Sequence, residues 1–114
     1  MSRTRLGIRA QRVVPGSGAG HINAVRSSAM EFWYVYVLRS LKDKQFYIGS
    51  TNDVQRRLQQ HQRGENVSTA KRLPVELLYF EAHTSKDDAL RREKYLKSTK
   101  GRTMLRQILR SALK

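Results

Sequence analysis

From Phe32 onward the chain alternates short aromatic and β-branched runs with segments of helical periodicity, and that order admits only a small mixed fold. Trp33-Tyr34-Val35-Tyr36-Val37-Leu38 is aromatic and β-branched, which suits a pleated strand. Lys42-Asp43-Lys44 is a polar turn, and Gln45-Phe46-Tyr47-Ile48-Gly49 is the expected hairpin partner of the first strand. Ser50-Thr51-Asn52-Asp53 offers N-caps for a helix from about Val54 to Arg63, which Gly64 ends. Glu65 to Leu73 reads as a basic loop, and Pro74 opens a third strand over Val75 to Phe80. Thr84-Ser85-Lys86-Asp87 caps a second helix running to about Lys97, and Gly101 is expected to separate it from a last helix, about Arg102 to Leu113. The expected architecture is α/β (α+β), a three-stranded, mostly antiparallel sheet flanked by about three helices.

A chain of 114 residues is about one domain. Cysteine is absent, which excludes a disulfide framework and a Cys-based zinc site and permits a reducing, cytoplasmic setting. No apolar run approaches the roughly 20 residues of a membrane-spanning helix. Lys and Arg number 23 against 9 Asp and Glu, a formal charge of +14. Such an excess calls for a polyanionic partner, nucleic acid first, because bound phosphates release counterions. Simple solubility, a ribosomal role or a membrane-surface role are the alternatives. Residues 1–30 differ from the rest: they hold Arg3, Arg5, Arg9, Arg12 and Arg26 with no acid, and Pro15 to Gly20 breaks any helix. Three readings stand for them: a disordered basic tail, an organelle transit peptide, or an extension ahead of a start at Met30. The domain of residues 31–114 keeps most of the charge, since 18 basic and 9 acidic residues remain from Met30 onward, a net +9.

Several polar residues sit where apolar ones belong. Ala89, Leu90, Glu93 and Leu96 share one stripe of the second helix, so Glu93 faces a core or a cleft. A carboxylate there needs a metal or a cation; the plain alternative is an i,i+4 pair with Lys97. On the first helix Val54, Leu58 and His61 face inward with Arg57 beside them. Arg57 could snorkel to solvent, and His61 could be an ordinary buried histidine or could bond a phosphate or a tyrosine. Tyr36 and Tyr47, on neighbouring strands, could be core aromatics or could bring two hydroxyls to one end of the hairpin.

In these blocks the chain resembles the GIY-YIG nuclease domain. Val35-Tyr36 stands at the end of that family's first tripeptide, with Tyr34 in place of its glycine and Val35 in place of its isoleucine, and Tyr47-Ile48-Gly49 is the second tripeptide letter for letter. Tyr47 to Leu58 matches the strand-to-helix segment that carries the family's arginine, here Arg57, and Ala89-Leu90-Arg91-Arg92-Glu93 matches the helix with its catalytic glutamate. The resemblance runs from about Phe32 to Leu105 and is nearest to small, single-domain bacterial members, similar to the N-terminal domain of excision-repair nucleases. No asparagine follows Asn66, although the family often has one beyond its glutamate.

The resemblance implies a metal-dependent endonuclease acting on DNA, structure-directed or weakly sequence-specific, with repair or recombination as its setting. It implies Tyr36, Tyr47, Arg57, His61 and Glu93 as the catalytic set, with Glu93 as the sole protein ligand of one Mg²⁺ or Mn²⁺. Arg56, Arg63, Lys71, Arg72, Arg91, Arg92 and Lys94 are the expected contacts to the nucleic-acid backbone, which carry affinity without sequence readout. The expected state is a monomer or weak dimer, nucleoid-associated at most, with no membrane partner. The alternative is a nucleic-acid-binding module with weak or no catalysis.

Overall fold

The computed structural model describes residues 31–114. The expectation of a basic tail over residues 1–30 lies outside the described residues. Strand β1 spans Trp33–Ser40, β2 spans Phe46–Thr51, helix α1 spans Val54–Gln62, β3 spans Val75–His83, α2 spans Lys86–Lys97 and α3 spans Thr99–Ile108. A 3₁₀ turn, Ala70–Arg72, lies in the loop before β3. The sheet is antiparallel with strand order β2-β1-β3.

β1 is central, and its alternation divides the core in two. Val35 and Val37 face one side, where they pack with Phe46, Ile48, Ala89, Leu96, Leu105 and Leu109. Tyr36 and Leu38 face the other side and pack with Val75, Leu58, Leu73 and Leu77. Helices α2 and α3 therefore cover one face and α1 the other, which is why every second residue of β1 is apolar on both phases. A register shift between Val37 and Leu38 inserts Leu78 into β3 as an extra residue. That bulge sends Leu78 and Tyr79 together against the α2–α3 core.

The caps follow the side chains that sequence offers. Asp53 caps α1 by accepting from the Arg56 amide at 3.0 Å, and Gly64, at φ +78°, ends it in the left-handed conformation. Ser85 caps α2. β3 runs three residues beyond the expected Phe80, to His83. The last boundary differs more. Ser98, not Gly101, divides the two C-terminal helices: its backbone closes α2, and its hydroxyl accepts from the Gly101 amide at 3.1 Å to start α3. Gly101 lies inside α3 because the helix crosses α2 there at backbone contact. A Cβ at Gly101 would stand 2.1 Å from the Tyr95 carbonyl oxygen and 2.6 Å from the Leu96 Cα. α3 also ends at Ile108, short of the expected Leu113.

Candidate active site

The site begins at Tyr36, in the middle of β1. Its partner in β2 is Gly49, and the Tyr36 ring lies over that glycine. A Cβ at position 49 would come within 2.7 Å of the Tyr36 hydroxyl and 2.8 Å of Cζ, so only glycine lets the ring lie flat against β2. The hydroxyl is hydrogen-bonded to His61 Nε2 at 2.9 Å, and His61 Nδ1 is bonded to the Thr69 hydroxyl at 2.7 Å. Thr69 belongs to the loop after α1, so that loop fixes both the rotation and the tautomer options of the imidazole. Tyr36, His61 and Thr69 are all buried.

Burial raises the Tyr36 phenol well above its ordinary value; neighbouring Tyr47 adds to the rise, and the Arg57 charge opposes it. The same burial, with the Arg57 charge, lowers His61 below 6.5, so the imidazole is neutral at pH 7. Tyr47 stacks at the edge of this pair, its ring centroid 4.9 Å from His61 and 6.2 Å from Tyr36, and is only half-buried. Arg57 stands one turn before His61 on α1. Its Nε is buried without a hydrogen-bond partner among the described residues, while the guanidinium charge acts on Tyr36 and His61.

Glu93 comes from the opposite face. It lies on α2, and Ser50 donates to its Oε1 at 2.6 Å. Lys97 holds Oε2 at 2.8 Å. The plain i,i+4 pairing and the site-facing placement therefore coexist. Ser50 follows Gly49 directly in β2, an edge strand, so the carboxylate is tied to the backbone one residue from the glycine under Tyr36. Tyr36, Tyr47, Arg57 and His61 thus lie on the α1 side of the sheet, and Glu93 reaches the β2 edge from the α2 side through Ser50. Among the described residues no cluster of three or more His, Cys, Asp and Glu exists to cage an ion. Glu93 fits a cation that keeps most of its water: one oxygen is oriented by Ser50, and the other is held only by an ammonium on a half-exposed stem.

The expected phosphate-tracking residues are dispersed over the surface. Arg56 bonds Asn52 Oδ1 at 3.0 Å. Arg63 pairs with Glu65 and Arg72 with Asp43. Arg91 pairs with Asp88 one turn earlier on α2. Lys71 and Lys94 are exposed. Arg92 is the most occupied: it donates to Glu81 at 2.9 Å, and Glu81 also bonds His83 and the Tyr79 hydroxyl. This network ties α2 to β3; burial and then the Glu81 carboxylate push Tyr79 up to about 12, and Arg92 opposes the rise. The exposed pairs, Arg63–Glu65 and Arg91–Asp88, contribute little to stability.

Ser50 and Thr69 hold Glu93 and His61 and are passed over by the motif, which does include Gly49. Nothing in the loop sequence marks Thr69.

Relatives of the chain are UPF0213 proteins. One from Streptococcus agalactiae is 48% identical over 65 residues, covering 56% of this chain and 73% of its own. Another, from Streptococcus pyogenes, is 42% identical over 71 residues, 61% of this chain and 76% of its own. An archaeal one, from Haloquadratum walsbyi, is 39% identical over 69 residues, 60% and 76%. No solved structure matches. The family model described as the GIY-YIG catalytic domain matches residues 32–107, a match that implies nuclease activity and nucleic-acid binding. On that match, and on a fold with the three strands and three helices laid out above, the chain belongs to the GIY-YIG family.

Proposed function

We propose that the chain is a metal-dependent endonuclease that hydrolyses phosphodiester bonds of DNA in a structure-directed or weakly sequence-specific way, suited to repair or recombination. The observation that carries this reading is the buried Tyr36–His61 hydrogen bond beside the unpartnered Arg57 Nε. A purely structural tyrosine and histidine explain the bond but not the unpartnered Nε of Arg57 beside it.

Each residue then has a task. Arg57 holds the scissile phosphate and spreads the charge that builds on it. Tyr47, half-exposed, positions the attacking water. Tyr36 sits behind it with too high a pKa to serve as a free phenolate. It takes the water's proton while passing its own to His61 Nε2, which is neutral and able to accept. In that tautomer His61 Nδ1–H donates to Thr69. Glu93, oriented by Ser50, would hold one Mg²⁺ or Mn²⁺ with waters, and the ion would supply Lewis-acid stabilisation of the leaving oxygen. The exposed Arg56, Arg63, Lys71, Arg91 and Lys94, with Arg72, would follow the backbone.

A second reading has one observation in its favour. Lys97 already neutralises Glu93, as a binding module without catalysis would need. Nicking of supercoiled and branched DNA with Mg²⁺ separates the two. The nuclease reading expects turnover by the wild type and at least a hundredfold loss in Glu93→Ala, while salt-sensitive binding without cutting by the wild type leaves only the module.

A further inference from the structure

The α1 side of the sheet carries aromatic surface that the proposed chemistry does not use. Phe80 is the β3 residue paired with Tyr36, and it is 43% exposed. Tyr34 precedes Tyr36 by two residues on the same strand and so shares its face. The Tyr34 ring meets Phe80 edge-on, with centroids 5.9 Å apart, and lies 6.4 Å from Phe32. Phe32, Tyr34 and Phe80 therefore form one continuous strip that ends beside Tyr36. α1 covers the Tyr36–Leu38 part of this face through Leu58 and leaves Phe80 partly open. β3 is an edge strand, where exposed positions ordinarily carry charge to prevent mispairing. An exposed phenylalanine there needs a different reason.

We propose that this strip is a stacking platform for unpaired bases, so that the substrate of the site is single-stranded or carries unpaired nucleotides next to the scissile bond. The inference rests on the nuclease reading for its orientation. Paired residues on neighbouring strands stand about 5 Å apart, so a nucleotide whose phosphate lies at Arg57 and Tyr36 has its base within reach of Phe80. Aromatic faces set in a strongly cationic domain are how single strands are held, each stacked base adding an increment that a duplex cannot supply because its base faces are already covered. The net +9 from Met30 onward supplies the electrostatic half.

The test is fluorescence anisotropy of the full chain in EDTA, with a labelled 12-nucleotide oligothymidylate and a blunt duplex of equal length at one salt concentration. Phe80→Ala is expected to weaken single-strand binding by about tenfold, within the range for loss of one stacked base, and to leave duplex binding within twofold. Phe80→Leu, apolar but without a ring, should behave as Phe80→Ala, and Phe80→Trp should restore affinity. Equal losses on both probes, no loss on either, or full rescue by leucine would overturn the platform. Self-association of the wild type that vanishes in Phe80→Ala on sedimentation velocity would overturn it too, by assigning the strip to a second copy. Because EDTA removes cleavage from the readout, failure here leaves the nuclease reading untouched. An inactive wild type that still shows the Phe80-dependent preference removes the nuclease reading alone.

Discussion

His61 shows how a single buried group ties the site to the stability of the whole. Its imidazole is enclosed between the Tyr36 and Thr69 hydroxyls and held neutral by burial and by Arg57. Its folded pKa is lowered, so the unfolded chain binds the proton more readily. The stability it contributes is complete above about 6.5 and falls as pH drops from there toward the lower folded value. Thermal melts between pH 7.5 and 5 should show a falling midpoint in the wild type and a flatter profile in His61→Gln, read against each variant's own pH 7.5 value. The residue scale also marks where sequence reading reaches its limit. Glu93 was legible because a carboxylate interrupts an apolar helical stripe, and Tyr36 because a tyrosine stands in a strand core. Ser50 and Thr69 were not, because their roles arise only when the β2 edge meets α2 and when the post-α1 loop folds back on His61.

At the scale of elements, the α2–α3 crossing is the most constrained joint. Gly101 sits where a methyl group would enter the Tyr95 carbonyl and the Leu96 backbone. Backbone, unlike the end of a flexible side chain, cannot step aside, so Gly101→Ala should destabilise the fold by about 1–3 kcal/mol or more in urea titration. The strands and the first two helices could be anticipated because pattern, caps and turns agree locally. Gly101 misled for a physical reason: glycine is a helix breaker by local propensity, whereas here tertiary contact selects it within a helix. α2 carries a second prediction. Lys97 occupies Glu93 Oε2, so it competes with any cation there. Lys97→Met should bind Mn²⁺ about two- to fivefold more tightly by calorimetry, the scale of a lost exposed ion pair, and Glu93→Gln should abolish the signal.

For the whole molecule, charge and topology act together. The cationic excess over residues from Met30 onward draws in a polyanion without choosing its sequence. Binding to a duplex oligonucleotide should weaken at least roughly tenfold between about 50 and 200 mM salt, as expected when two or more phosphates are neutralised. A salt-independent affinity would mean that the charge serves solubility. Among the described residues no helix is long and apolar enough to cross a membrane. The sheet divides the proposed catalytic set, with Tyr36, Tyr47, Arg57 and His61 on the α1 side and Glu93 reaching the β2 edge from α2. On the proposed function, hydrolysis demands a substrate that wraps the edge at Gly49 and Ser50. A crystal of the chain with Mn²⁺ and a short oligonucleotide addresses this most directly. The account predicts one phosphate held by the Arg57 guanidinium and bridged to an ion on the Glu93 carboxylate, with Lys97 displaced. An ion bound away from Glu93, or a phosphate that reaches Arg57 but not that ion, would contradict it.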